Sequence, residues 1–182
     1  VTGTMDFSLR PILAGELGMT AQLVLMGALL IGFGIKIPLF PFHTWLPDAH
    51  TEASTPVSVL LAGVLLKLGT YGLLRFCLGL FPDAWQLASP WLAGWAAISV
   101  LYGSLAAIAQ TDMKRMVAYS SVGHMGYVLL AAAAATPLGL MGALFQMVSH
   151  GLISGVLFLV VGVVYAQTGT RDLNVLRGLL NP

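Results

Sequence analysis

The chain has 182 residues, 58% of them hydrophobic and only 8% charged, and a mean hydropathy of +0.90. Soluble domains carry about 25% charged residues, so an ordinary soluble domain is excluded, and the abundance of Leu, Val and Ile excludes disorder. A net charge of +1 leaves no surface suited to nucleic acid, and the single cysteine, Cys77, rules out an internal disulfide framework or a cysteine-rich metal or iron–sulfur site.

Val1–Thr20 lacks the basic start, apolar core and cleavage site of a secretory leader. Five apolar stretches follow, at Ala21–Phe42, Val57–Leu80, Trp91–Gln110, Met116–Thr136 and Leu138–Ala166. Each is near the length of about 20 residues that crosses a bilayer core as a helix. Lipid cannot satisfy backbone polar groups, so such spans are predicted to be helical. The run Val57–Leu66 reads VSVLLAGVLL and shows none of the alternation of a barrel strand. The expected fold is all-α: a polytopic helical membrane protein, with residues 1–182 forming a single transmembrane domain of about five transmembrane helices.

In chain order, the first punctuation is Lys36-Ile-Pro-Leu-Phe-Pro-Phe-His-Thr-Trp. Proline removes a helical hydrogen bond and clashes with the preceding turn, so the first helix is predicted to break near Pro38, just after Lys36. His43-Thr-Trp-Leu-Pro-Asp-Ala-His50-Thr-Glu52 has metal-ligand residue types. It lacks the His-Glu-x-x-His spacing and contains Pro47, so it reads as an ordered polar surface loop, with no metal expected. Trp45, Trp91 and Trp95 near span ends read as interfacial aromatics. Gly151-x-x-x-Gly155 offers a face for close helix contact. Neither a Walker motif nor a Gly-x-Gly-x-x-Gly fingerprint is present, so no nucleotide or flavin is expected on this chain. Arg10 and Arg75 flank the spans on one side, and Lys114, Arg115, Arg171 and Arg177 on the other. The positive-inside rule makes the second side cytoplasmic.

Two lysines and two histidines lie inside the spans. Lys67 is near the middle of the second stretch, where a charged side chain costs at least about 2.5–3.5 kcal/mol and a leucine would pack better. Lys36 is deep in the first stretch, beside the predicted break. His124 and His150 lie within the fourth and fifth stretches; a single membrane histidine is as readily an interhelical hydrogen-bonding group as a functional one. An apolar medium disfavours the charged form of lysine and opens it to proton exchange, and histidine titrates near neutrality. Together the four can form a lateral string of proton sites, supported by Ser120, Ser121, Ser149 and Ser154. All seven acids, Asp6, Glu16, Asp48, Glu52, Asp83, Asp112 and Asp172, fall outside the spans or at their edges. The carboxylate that would stabilise a charged lysine must therefore come from another segment or subunit.

The run from Lys36 through His50-Thr-Glu-Ala, with Leu61-Ala-Gly-Val-Leu-Leu-Lys67-Leu-Gly-Thr-Tyr-Gly, resembles the antiporter-like proton-pumping subunits of respiratory complex I and its NDH-1 relatives. Ala109-Gln-Thr-Asp-Met-Lys-Arg-Met-Val-Ala-Tyr-Ser-Ser-Val-Gly-His124-Met-Gly-Tyr and Gln146-Met-Val-Ser-His150-Gly-Leu extend the likeness. Leu-Leu-Lys-x-Gly-x-Tyr-Gly is similar to the chain 4 type, and the wording over Thr51–Gly72 to its cyanobacterial forms. Many relatives place proline directly after Glu-Ala, where this chain has Ser54, with Pro56 two residues on.

The resemblance implies a subunit of about fourteen helices, of which these are the middle ones. It implies that Lys36 is the lysine of a broken helix, paired with a glutamate on an earlier helix; that Lys67 is the central relay lysine; and that His124 and His150 lead onward. The function it implies is proton translocation coupled to quinone reduction elsewhere in an NAD(P)H or ferredoxin:quinone oxidoreductase. This chain would carry no cofactor, with quinone and iron–sulfur clusters in other subunits. Expected partners are other membrane-arm subunits of a complex-I-like assembly, the lipid bilayer and protons. The expected location is the cyanobacterial thylakoid or, alternatively, a bacterial plasma membrane. Rival readings are a subunit of a multi-subunit cation/proton antiporter and a structural membrane scaffold of a complex-I-like CO2-uptake assembly.

Overall fold

A computed structural model describes residues 17–176. The elements are α1 (Met19–Lys36), α2 (Trp45–Glu52), α3 (Thr55–Leu78), α4 (Pro82–Ile108), α5 (Met113–Ala133) and α6 (Pro137–Thr168). All but α2 are long and apolar enough to cross a membrane, giving five spans. The described residues contain no strand, apart from an isolated bridge between Asp112 and Asp172.

The break after Lys36 falls where the prolines place it. Pro38 has a φ of 31°, and the Phe40–Pro41 peptide is cis. The backbone groups freed by the break find partners in protein. The Trp95 indole N–H donates to the Phe40 carbonyl, the Phe40 N–H donates to Ser99 Oγ at 3.2 Å, and Trp45 Nε1 donates to the Ile35 carbonyl at 2.9 Å. Non-helical backbone survives at membrane depth only under such cover. Trp95 thus differs from its expected role as an interfacial anchor: its indole is turned inward to the break, whereas Trp91 is 81% exposed.

Cap chemistry sets the other boundaries. The Asp112 carboxylate accepts from the N–H groups of Lys114 and Arg115 at 2.8 and 3.1 Å, which starts α5 a turn earlier than apolarity suggests. Thr136 caps α6 through the Gly139 N–H at 3.0 Å with Pro137 in the first turn, and Gly169 ends that helix at a φ of 70°. α4 begins at Pro82, well before the expected Trp91, because its polar first turns are held down by Trp85. That side chain is fully buried and donates to the Ala132 carbonyl at 3.2 Å. Ser54 precedes α3, and Pro56 occupies its first turn, where a missing N–H does no harm.

α5 is the most enclosed span and packs along both α4 and α6. α3 runs antiparallel to α6, with Lys67 opposite His150 and Thr55 against Gly162. The Gly151-x-x-x-Gly155 face does mediate close contact: a Cβ on Gly151 would lie 3.0 Å from the Gly63 carbonyl oxygen. Because of this pairing, Arg75 lies at one end of the bundle, while Lys114, Arg115 and Arg171 gather at the other with α2. Arg10 and Arg177, the remaining cations of the orientation argument, and Asp6 and Glu16 lie outside the described residues. Leu138, Phe145, Leu152 and Val156 face outward from α6, as expected of a helix whose solvent is lipid or further helices.

Candidate functional site

Lys67 follows a stretch of π-helix at Leu61–Leu65, and a second lies at Leu73–Leu78. Such widened turns leave backbone acceptors outside the regular ladder and occur often at functional sites. The Lys67 ammonium donates to the Ala62 carbonyl and stands 2.7 Å from His150 Nδ1. An ammonium has no acceptor, so Nδ1 must be the bare nitrogen and Nε2 must carry the proton. Nε2 lies 3.2 Å from Ser121 Oγ, whose hydroxyl donates onward to the Val117 carbonyl at 3.1 Å. One consistent polarity therefore runs from α3 through α6 into α5.

His124 lies next to this chain. Its ring centroid is 5.1 Å from that of His150, with the planes inclined by 40°. Gln146 Nε2 is 2.8 Å from His124 Nδ1, so the amide donates and Nε2 of this histidine also carries the proton. Gln146 is a member of the site that residue chemistry alone does not reveal. The available signal is its spacing, one helical turn before His150 on the same face of α6.

The structure thus brings together Lys67, His150 and His124, but not Lys36. Lys36 ends α1 on an exposed face and makes no hydrogen bond among the described residues. Its aliphatic stem packs on Gly69 of α3, where a Cβ would come within 2.9 Å of Lys36 Cγ. Among the serines, Ser121 touches the site directly. Ser154 donates to the His150 carbonyl at 2.6 Å, while Ser120 and Ser149 bond back to carbonyls of their own helices. Beside Lys67, between α3 and α6, an apolar groove of about 550 Å³ opens outward, lined by residues including Gly63, Tyr71, Met147 and Gly151.

The His43–Glu52 segment is not the polar surface loop expected from its composition. Most of it is the helix α2, and His43 and His50 are 2% and 0% exposed. His50 stacks on Phe158 at 4.3 Å, and His43 sits among Phe40, Tyr102 and Tyr119. Neither ring has a hydrogen-bond partner among the described residues. Burial lowers the pKa of His43, and burial with the nearby Lys114 charge brings that of His50 down to about 4. Both rings are accordingly neutral at physiological pH. No group of three or more His, Cys, Asp or Glu side chains is placed to hold a metal among the described residues.

Comparison with known proteins gives consistent findings. The family described as NADH:quinone oxidoreductase/Mrp antiporter, TM matches residues 1–182. NAD(P)H-quinone oxidoreductase chain 4 2 of Microcystis aeruginosa is 50% identical over 177 residues, covering 97% of this chain and 32% of the relative. A chain of respiratory complex I from Thermus thermophilus superposes with a TM-score of 0.87 at 37% identity, over 96% of this chain and 37% of that one. A chain of the Mrp complex from Dietzia sp. does so with a TM-score of 0.83 at 25% identity, over 93% and 32%. This chain spans about a third of the length of the curated relatives it matches.

Proposed function

Because the chain belongs to the NADH:quinone oxidoreductase/Mrp antiporter transmembrane family, we propose that it supplies the middle helices and central proton relay of a membrane-arm subunit in a complex-I-like NAD(P)H or ferredoxin:quinone oxidoreductase. The observation that carries this reading is the 2.7 Å contact between Lys67 and His150 within the spans. Lys67 holds a proton as ammonium and passes it to the bare Nδ1 of His150. The resulting imidazolium releases its Nε2 proton toward Ser121 Oγ, 3.2 Å away, beside the ring of His124, whose centroid is 5.1 Å from that of His150; for His124 to take the proton on Nδ1, the Gln146 amide must turn away from that nitrogen. A proton leaving His124 completes the lateral step. Lys36, on the far side of α3, is the site from which Lys67 is refilled.

The balancing carboxylate comes from a neighbouring segment, since the acids of this chain lie at the span ends. Redox chemistry, quinone and iron–sulfur clusters reside in other subunits of the assembly, and the membrane is the thylakoid of a cyanobacterium, a reading supported by the likeness to the Microcystis aeruginosa chain. In the assembled complex, Lys67→Ala is expected to abolish most proton translocation coupled to quinone reduction. Undiminished pumping by that variant would overturn the proposal.

The likeness to the Mrp complex chain supports a second reading, a subunit of a cation/proton antiporter. It predicts sodium-dependent proton exchange in vesicles without an electron donor, and absence of that exchange removes it.

A further inference from the structure

We infer that Lys114 and Arg171 form a cationic clasp on the C-terminal carbonyls of α2, positioning this helix and, through it, the start of the lysine-bearing helix α3. The functional part of this inference rests on the relay proposed above. The last carbonyls of any helix lack partners within it and sit at its negative pole, where cations are favoured. At the end of α2 two such oxygens are taken by cations from distant parts of the chain. The Lys114 ammonium donates to the Ala53 carbonyl at 2.6 Å, and Arg171 Nη1 donates to the Thr51 carbonyl at 3.1 Å. Lys114 is only 5% exposed, unlike a cation that merely decorates a membrane surface.

Arg171 is tied in place on its other sides. Its Nε is 3.6 Å from the Asp112 carboxylate, and its guanidinium lies 5.2 Å from the centroid of the Tyr165 ring. Its carbonyl accepts from the Met113 N–H at 3.1 Å. Asp112 in turn caps α5. The clasp thus joins three elements remote in sequence: the end of α2, the start of α5 and the segment after α6. Contacts of α2 carry its position onward to the relay. Ser58 of α3 donates to the His50 carbonyl at 3.3 Å, two turns or so before Lys67, and the His50 ring stacks on Phe158, about two turns beyond His150 on α6. A tilt of α2 would shift both helices that carry the Lys67–His150 contact. The neighbouring Arg115–Asp48 pair, with side chains 45% and 69% exposed, is a solvated surface pair and serves as the control.

The test uses the full-length subunit in the assembled complex, in native membrane vesicles. Spin labels at Glu52→Cys and Gln167→Cys, in a Cys77→Ser background, report the distance between the end of α2 and the end of α6. Protons translocated per quinone reduced are measured on the same vesicles. Lys114→Met combined with Arg171→Gln is expected to broaden the distance distribution at least twofold and to reduce the proton yield to less than half. Lys114→Met alone, which keeps the buried volume, shows the same changes to a lesser degree and serves if the double variant does not assemble. Lys114→Arg, which retains the cation, restores both readings toward wild type, and Arg115→Gln changes neither. An unchanged distance distribution on loss of both cations overturns the clasp. A broadened distribution with full proton yield overturns its positioning role. Failure of the relay reading is distinguishable, because it shows as normal pumping by Lys67→Ala whatever the label distances do.

Discussion

Gly151 provides a steric handle on the Lys67–His150 contact that leaves both titratable residues in place. A Cβ there would stand 3.0 Å from the Gly63 carbonyl oxygen and 3.6 Å from Lys67 Cε. Ordinary contacts begin at about 3.5 Å, so Gly151→Ala asks α3 and α6 to part by about 0.5 Å. Applied to the present 2.7 Å between Lys67 Nζ and His150 Nδ1, that displacement yields about 3.2 Å, the upper edge of hydrogen-bond range. Alanine should therefore weaken the contact without breaking it. At a cost of about 1 kcal/mol, transfer slows about fivefold. Gly151→Val adds two more carbons on the same face; overpacking of that size costs about 1–3 kcal/mol and drives the pair beyond bonding distance. The expected order of pumping is wild type, then alanine, then valine, with quinone reduction less affected than proton movement. The assay is dye-reported acidification of inverted vesicles, with quinone reduction followed in parallel. Gly94→Ala is the control, because nothing lies within 4 Å of a Cβ at that position. If an assembled Gly151→Val complex pumps like wild type, direct contact between Lys67 and His150 is not part of the path.

Two further outcomes follow from residues around the break. The unfolded chain protonates His50 near the usual 6.5, whereas the folded protein does so only near 4. Between those values the unfolded state binds more protons, so this stability is complete above the upper one and is lost as pH falls toward the lower, by about 3 kcal/mol at most. Thermal midpoints of the purified assembly between about pH 7.5 and 5 should fall more steeply for wild type than for His50→Phe, which keeps the stack on Phe158; equal slopes would contradict the assignment. Trp95→Phe preserves an aromatic ring but leaves the Phe40 carbonyl without its donor, a loss of about 1–3 kcal/mol at a covered site. Trp45→Phe removes the bond to the more exposed Ile35 carbonyl and should destabilise less. Reversal of that order in a heat-inactivation series would show that the break is held by packing alone.

Much of this architecture is legible in the sequence because lipid imposes so narrow a choice. An apolar run of sufficient length has to be a helix, and Pro38 and Pro41 have to interrupt one. Charge placement likewise isolates Lys36, Lys67, His124 and His150 as residues that packing alone does not explain. The partners of those residues are another matter. That Lys67 meets His150 depends on the register of α3 against α6, which the mutual approach of Gly63 and Gly151 fixes, and Lys36 stays apart because α1 lays its stem on Gly69 of α3. The burial of His43 and His50 was equally hidden, since a segment with Asp48, Glu52 and two histidines has the composition of a solvated loop. What encloses it is an aromatic surround contributed by α4, α5 and α6. The early start of α4 was masked by Asp83, Gln86 and Pro90, which read as a connection until the buried Trp85 is seen to anchor them.

The length of α6 has a bearing on where the charges can live. At about 1.5 Å per residue, its 32 residues reach about 48 Å, whereas the hydrocarbon layer is about 30 Å thick. Matching the two by tilt alone would need an inclination of about 50°, beyond the usual range of up to about 40°. The helix must therefore project from the oily layer. Gly162 already stands level with Thr55, the first residue of α3, so the projecting part is the end that carries Tyr165 and leads to Arg171. That end is a post rising into the headgroup zone. The carboxylates and guanidinium groups assembled around it meet water and mobile ions, while Lys67 and His150, about 18 Å further down each helix, do not.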